Sequence, residues 1–322
     1  MQQHDDEDAE DESCEIADSA RGAEVMKTKI DFDDFVGDLR SLALNNSSPS
    51  MTRLWRPAAQ RNLKNQWLKL VSQNQQWAKA SSSGRSHLTS LVNSYLSQRY
   101  MGTMDSGVLS NNMPNIRQRA CQKLARQQEL HRRNLFSCYK DLVMIVSRMT
   151  NISSSMRCFV KGPAGSPLIQ FSCLSEDKND FGDGGGLSVF TFWSIMYFEN
   201  LAKELIQMFA LELMFKRLLV FKFITINCEA SPRQTDKIWS DELYSGEFED
   251  LRSCQLFSEE NCQPIFPNSN APKALDLQPN KQLSQEDLEV HITAWFVEYN
   301  IDKDRVANIF KIVGEEMHFN LS

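Results

Sequence analysis

Phe190–Arg217 reads FTFWSIMYFENLAKELIQMFALELMFKR, and this segment combines clustered aromatic residues with a helical spacing of apolar and charged residues. Leu201 and Leu205, with the apolar residues that follow them at steps of three or four, fall on one face of a helix. Glu212 and Lys216 are spaced at i and i+4, so their side chains can form an ion pair on that helix. The pattern predicts an amphipathic helix that is buried along one face.

The apolar run extends over Leu187–Ile226, which is long enough for a membrane-spanning helix. It nevertheless contains several charged residues: Glu199, Lys203, Glu204, Glu212, Lys216, Arg217 and Lys222. Because charges spaced in this way are costly in lipid, we predict a helix inside a soluble protein. Its expected bounds are about Ile195 to Thr225.

The residues before this segment predict three further helices. The first runs from about Pro57 to Ser81, where the sequence SSSG at 81–84 is expected to end it. The second covers His87–Tyr100, and the third begins near Pro114, a residue suited to a first helical turn. From residue 124 the third helix repeats its inward positions at alternating steps of four and three, which indicates a coiled-coil-like seam or a long bundle helix. The seam residues are Leu124, Gln128, His131, Leu135, Cys138, Leu142, Ile145 and Met149.

The remaining chain predicts a short β-hairpin and two C-terminal helices. Residues 157–160 and 168–173 flank a Gly-Pro-Ala-Gly turn, as in a hairpin. Ser284, with Asp287 three residues later, is expected to begin the helix Ser284–Tyr299, and Asp302 the helix Asp302–Gly314. The predicted fold class is therefore mainly α: an elongated helical bundle with a coiled-coil-like long helix, a short hairpin and a disordered acidic N-terminus.

Charge and composition divide the chain into six regions. They are an acidic tail with a short amphipathic segment at 1–50, a basic helical region at 51–161, a glycine-rich loop at 162–188, the buried helix at 189–227, mostly loop at 228–284, and the last helices at 285–322. Residues 51–165 carry 18 Lys and Arg against 3 Asp and Glu, a net charge of +15, while the flanking parts are acidic. A basic region of this kind binds phosphates or simply presents solvated helix faces. Nucleic-acid binding through 51–165 is thus an alternative function.

The residue types that usually carry chemistry are scattered. None of the eight cysteines forms a C-x-x-C pair, and the five histidines show no metal-ligand spacing, which indicates free thiols in a reducing compartment. The glycine cluster Gly182–Gly186 resembles a phosphate-binding loop, but Leu187 and Ser188 follow it where a P-loop has a lysine. We therefore expect no catalysis, no cofactor and no metal, and an enzyme that uses the glycine loop is the least favoured hypothesis.

The segment also resembles the cyclin-dependent kinase 2-interacting protein family. The shared pattern is a Phe, a Trp three residues on and a Phe five beyond it, entering a helix that ends in Met-aromatic and Glu-Leu…Lys-Arg. Phe190, Trp193, Phe198, Leu205, Met208, Phe209, Glu212, Leu213, Lys216 and Arg217 occupy these positions. Two weaker patches, Trp67–Val92 and Val290–Val297 with Trp295, are similar to the first and last helices of that family.

The resemblance implies a non-catalytic adaptor. Its expected partners are a cyclin-dependent kinase with its cyclin, replication or checkpoint proteins, or an AAA ATPase assembly acting in ribosome maturation. The expected location is the nucleus, with the cytoplasm in addition. The predicted partner-binding residues are Phe190, Trp193, Phe198, Met208, Phe209, Glu212, Lys216 and Arg217. Whether Trp193 packs in the core or docks a partner is left open by the sequence.

Short motifs near the N-terminus fit a kinase link. Arg40, Leu42 and Leu44 match an R-x-L-x-Φ cyclin-docking pattern, although the two leucines also complete an amphipathic helix over Ile30–Leu44. Three serines precede prolines and are minimal phosphorylation sites: Ser48, Ser166 and Ser231. With ten prolines in a chain this rich in serine, about one such pair is expected from composition alone.

Overall fold

The computed structural model describes residues 56–103, 115–157, 181–226, 239–260, 262–265 and 284–321, together with the backbone of 159–160 and 169–170. The helices are α1 (Arg56–Thr103), α2 (Ile116–Ser154), α3 (Ile195–Ile224), α4 (Glu247–Ser253), α5 (Gln285–Val297) and α6 (Lys303–Glu316). The strands are β1 (Phe159–Val160), β2 (Ile169–Gln170), β3 (Phe257–Ser258) and β4 (Gln263–Pro264). The predicted mainly α fold class is confirmed. The predicted acidic tail lies outside the described residues.

Helices α1 and α2 pack against each other along most of their length. The predicted seam of α2 faces this contact: Leu135, Leu142 and Met149 are fully buried, and Gln128 is buried as well. The amide of Gln128 donates to Ser94 O at 3.2 Å and to Gln98 Oε1 at 2.6 Å on α1. A buried amide with specific partners fixes the register of two helices, because a shift would leave it unsatisfied.

Helix α1 is continuous, so the predicted break at the sequence SSSG is wrong. The segment 81–84 remains helical because α5 packs directly over it. The indole Nε1 of Trp295 donates to Ser81 O at 3.0 Å, and a Cβ added to Gly84 would lie 2.5 Å from Trp295 Cζ2. Glycine is therefore required at position 84 to admit the tryptophan ring, and this packing outweighs the poor intrinsic helix propensity of the segment.

Helix α3 forms the centre of the bundle and contacts α2, α5 and α6. Of its 30 residues, 18 are buried, so it is enclosed around most of its circumference rather than along one face. The predicted bounds of about Ile195 to Thr225 are confirmed. None of the described helices is both long and apolar enough to cross a membrane.

The C-terminal helices begin as their sequences predict. Ser284 Oγ accepts from Asp287 N at 3.1 Å and Asp287 Oδ2 accepts from Ser284 N at 3.1 Å, which forms a complete capping box. Asp302 Oδ1 accepts from Arg305 N at 2.9 Å at the start of α6. Gly314 lies inside α6, and a Cβ there would be 2.7 Å from Phe319 O.

Two short antiparallel hairpins complete the fold. The predicted hairpin is confirmed as β1–β2, in which Phe159 pairs with Gln170 and Val160 with Ile169. The hairpin β3–β4 falls in the region 228–284 that was predicted to be mostly loop. Its strands are only two residues long, too short for the alternation that identifies a strand in sequence.

Replacing Gly84 with Ala should lower the free energy of unfolding. Alanine favours a helix by about 1 kcal/mol over glycine, but displacing the Trp295 ring costs about 1–3 kcal/mol. Chemical denaturation followed by circular dichroism measures the sum. The control is Ser82→Ala, an exposed site two residues earlier, which should be neutral or slightly stabilising. Equal free energies of unfolding of the two variants would show that the packing of the Trp295 ring does not require glycine at position 84.

Candidate functional site

Five of the eight predicted partner-binding residues are buried. Phe198 and Phe209 are core residues, and Glu212, Lys216 and Arg217 have no exposed side-chain surface. A partner could not reach any of these five without unfolding of α3. We correct their expected role from partner binding to holding the fold together.

Arg217 joins α3 to the segment 239–247. Its guanidinium forms a two-pronged ion pair with Glu247, from Nε to Oε1 at 2.9 Å and from Nη2 to Oε2 at 3.0 Å. It also donates to Trp239 O at 2.9 Å and Asp241 O at 2.8 Å, and it lies 4.5 Å from the Trp239 ring centroid. Four N–H groups therefore have acceptors, which offsets the desolvation of the charge.

The carboxylate of Glu247 accepts further hydrogen bonds besides those from Arg217. Its carboxylate accepts from Tyr139 Oη at 2.6 Å and from Leu243 N at 2.7 Å. Burial, with the negative charge of Glu247 beside it, raises the pKa of Tyr139 well above its usual value, so the phenol remains a donor. Through this carboxylate, α2, α3 and α4 share a single hydrogen-bond network.

Lys216 joins α3 to α5 in the same way. Its ammonium donates to Trp295 O at 2.9 Å, lies 3.3 Å from Glu212 Oε1 and 3.6 Å from Glu298 Oε1, and stands 4.4 Å from the Trp295 ring centroid. Burial lowers the pKa of Lys216 and raises that of Glu212, while their mutual attraction opposes both changes. The predicted pairing of Glu212 with Lys216 is confirmed, but it occurs in the interior.

The three other predicted residues, Phe190, Trp193 and Met208, are half-buried. Phe190 and Trp193 lie in the loop that enters α3, which we name the entry loop (residues 188–194). A β-bridge between Ser188 and Ser194 closes this loop, and Val189 N donates to Trp193 O at 2.9 Å. Trp193 packs on Tyr197 and Phe198, with ring centroids 4.4 and 5.4 Å apart. It is thus partly core and partly surface.

Phe192, at the turn of the entry loop, was not among the predicted residues and is the most exposed aromatic of this loop. Its side chain is 80% exposed. Its backbone is nevertheless fixed, because the buried carboxylate of Glu316 accepts from Phe192 N at 2.7 Å and from Trp193 N at 2.9 Å. We name Phe192 and its half-buried neighbours Phe190 and Trp193 the aromatic surface. Sequence alone missed Phe192 because aromatic type does not distinguish core from surface.

Two histidines meet between α1 and α2. The rings of His87 and His131 lie 5.7 Å apart, and among the described residues His131 Nδ1 has no hydrogen-bond partner. Burial, and then the nearby His87, lowers the pKa of His131, which favours the neutral ring. This agrees with the packing role that its place on the seam indicates.

The glycine cluster forms a tight turn. Gly184, Gly185 and Gly186 all have positive φ, and Asp183 Oδ1 accepts from Gly185 N at 2.8 Å. A Cβ on Gly186 would meet no atom within 4 Å, so the backbone conformation, and not a lack of space, requires glycine. Within the described part of the chain no cluster of His, Cys, Asp or Glu could hold a metal.

Several predicted residues lie outside the described ranges. They are the cyclin-docking residues Arg40, Leu42 and Leu44 and the phosphorylation sites Ser48, Ser166 and Ser231.

The fold and the buried network define a helical bundle in which α3 is held by two adjacent ion pairs. No protein-family model matches this chain, and no curated protein matches its sequence. The resemblance to the cyclin-dependent kinase 2-interacting protein family stays a prediction based on the residues quoted above.

Replacing Arg217 with Met should destabilise the fold by about 3–5 kcal/mol, because it leaves the Glu247 carboxylate buried without its counter-charge. Urea unfolding of the full chain measures this change. The double variant Arg217→Met/Glu247→Leu should recover part of the loss, since neither charge then remains.

The control for this prediction is Arg252→Met. Arg252 pairs with Glu249 at the same 2.9 Å, but both side chains are exposed, and such pairs contribute about 0–1 kcal/mol. Equal losses in Arg217→Met and Arg252→Met would contradict the stabilising role of the buried pair.

Proposed function

We propose that this protein is a non-catalytic adaptor that binds another protein through the aromatic surface. The observation that carries the proposal is Phe192, a large apolar side chain that is 80% exposed on a backbone fixed by Glu316. Exposing an aromatic ring to water is unfavourable, and aromatic residues that become buried on binding contribute strongly to protein interfaces.

The rigidity of the entry loop supports this proposal. A flexible loop loses conformational freedom when it binds, and this loss weakens the complex. Here the β-bridge between Ser188 and Ser194 and the two hydrogen bonds to Glu316 fix the loop before any partner arrives. Phe190 and Trp193 provide a partly exposed apolar rim on either side of the ring.

The family resemblance supplies the proposed partners. They are a cyclin-dependent kinase with its cyclin, replication or checkpoint proteins, or an AAA ATPase assembly acting in ribosome maturation. The proposed location is the nucleus, with the cytoplasm in addition. Phe192 lies between Phe190 and Trp193, the first two residues of the family pattern, so the beginning of this pattern adjoins the surface proposed for binding.

Replacing Phe192 with Ser should remove partner binding while the fold is retained, because the change affects an exposed side chain and leaves the backbone bonds in place. Affinity purification of the full chain from dividing cells, with quantitative mass spectrometry, measures the loss. Recovery of the partner should fall at least tenfold relative to the wild type.

The control is Met144→Ser, which removes another exposed apolar side chain from α2. This variant should retain the partner. Equal recovery with Phe192→Ser and the wild type would reject the aromatic surface as the binding site. A wild-type chain that recovers no kinase, replication protein or AAA ATPase would reject the family-based partners.

Nucleic-acid binding is the second candidate function. The observation that favours it is a group of exposed basic side chains in the first turns of α2. Residues 116–127 of α2 contain no buried residue, and the basic side chains there are exposed. They are Arg117, Arg119, Lys123 and Arg126. Such a cluster can contact phosphates without a built pocket.

The triple variant Arg119→Glu/Lys123→Glu/Arg126→Glu tests this candidate. If this basic cluster binds nucleic acid, affinity for a labelled oligonucleotide should fall at least tenfold, with a shallower dependence on salt. The same charge change at exposed Lys203, Lys303 and Lys311 should have a smaller effect. No binding by the wild-type chain at low salt would eliminate this function.

A further inference from the structure

A shallow, open groove runs along the exposed face of α5. It has a volume of about 620 Å³. Its lining residues are Phe215, Glu286, Glu289, Val290, Thr293, Ala294, Val297 and Tyr299. Seven of these lie on α5 or just after it at near-helical spacing, and the eighth, Phe215, belongs to α3. We name it the α5 groove.

The centre of the α5 groove is apolar and accessible. Val290 is 65% exposed, Val297 53% and Tyr299 83%, whereas Ala294 and Phe215 are half-buried at the base. Contiguous exposed apolar side chains beside a helix are typical of surfaces that accept an amphipathic helix, which inserts residues at i, i+3 or i+4, and i+7.

One end of the groove is acidic. Glu286 and Glu289 lie in the first turns of α5, and neither forms an ion pair with another described residue. The carboxylate of Glu289 accepts from the neutral amide of Gln285, Nε2 to Oε1 at 2.9 Å. Two carboxylates that pair with no cation in the described part of the chain, beside an apolar surface, favour an occupant with lysine or arginine near its apolar side chains.

The negative charge of Glu286 and Glu289 argues against occupation of the groove by a segment of the same chain. The amphipathic segment Ile30–Leu44 has apolar residues with suitable spacing, but it carries four aspartates and a single arginine. Like charges brought together at an interface are costly, so this segment is a poor match for Glu286 and Glu289.

We propose that the α5 groove binds a basic amphipathic helix from a partner protein. Its apolar side chains contact Val290, Ala294 and Val297, and its lysine or arginine side chains pair with Glu286 and Glu289. The groove is separate from the aromatic surface, because Phe215 lies 19 positions along α3 from Met196, which follows the entry loop, and this step spans about 28 Å. The two binding proposals can therefore fail independently.

Two synthetic helical peptides test the proposal. Both present leucines at i, i+3, i+7 and i+10, and one flanks them with lysines where the other has glutamates. Fluorescence anisotropy with the full chain should give at least tenfold tighter binding of the lysine peptide, weakening as salt is added. The double variant Glu286→Lys/Glu289→Lys should reverse the preference.

The matched control is Glu249→Lys/Glu259→Lys, which makes the same change in net charge at exposed sites outside the groove. It should keep the preference of the wild type. Val290→Ser should weaken binding of the lysine peptide at least fivefold. The variant should keep the helix content of the wild-type protein, since Val290 is exposed.

Four results would overturn the proposal. One is equal affinity for the two peptides, and another is binding that none of the groove variants changes. The third is a concentration-dependent dimer that Val290→Ser abolishes in sedimentation, which would make a second copy of the chain the occupant. The fourth is tighter peptide binding after deletion of residues 30–44, which would show that this segment occupies the groove.

Discussion

The pair of adjacent cations at Lys216 and Arg217 is the constraint on which the bundle depends. Both charges lie in the interior, and each requires acceptors supplied by distant parts of the chain: Trp295 and Glu298 for Lys216, and Trp239 and Glu247 for Arg217. A charge removed from water and left without a partner costs several kcal/mol. Helices α4 and α5 therefore cannot leave α3 without exposing or stranding a charge. We infer that these pairs select one arrangement of the helices, in addition to the stability that apolar packing gives.

Steric fit imposes a second constraint at the contact between α1 and α5. Trp295 places its ring over Gly84 and its N–H on Ser81 O, and Glu298 accepts from Trp77 Nε1 at 3.1 Å and from Ser81 Oγ at 2.7 Å. Ser81 thus accepts a hydrogen bond from Trp295 through its backbone carbonyl and donates one to Glu298 through its hydroxyl. The carbonyl of Trp295 also accepts from Lys216, so a single tryptophan links the charge network to the close packing of α1.

Sequence predicted the elements that depend on local pattern. The seam of α2, the bounds of α3 and the capping residues Ser284 and Asp302 follow from spacing or from one side chain near one backbone group. The break at SSSG was wrong because the partner that keeps α1 helical, Trp295, lies more than two hundred residues away. The burial of Arg217 was missed for a related reason. A charged residue near the end of an amphipathic pattern ordinarily faces solvent, and only the fold shows that Glu247 meets it.

The aromatic surface and the α5 groove share one arrangement, an exposed aromatic side chain on a backbone that a glutamate holds in place. Phe192 is exposed beside a backbone fixed by buried Glu316, and Tyr299 is 83% exposed directly after Glu298, which has positive φ and is held by Trp77, Ser81 and Lys216. In each case a glutamate carboxylate that accepts at least two hydrogen bonds holds the backbone in place next to an exposed aromatic ring. A ring on a fixed backbone loses little freedom on binding, so more of its burial energy remains as affinity. The buried polar groups thus connect the stability of the bundle to the surfaces through which we propose it binds.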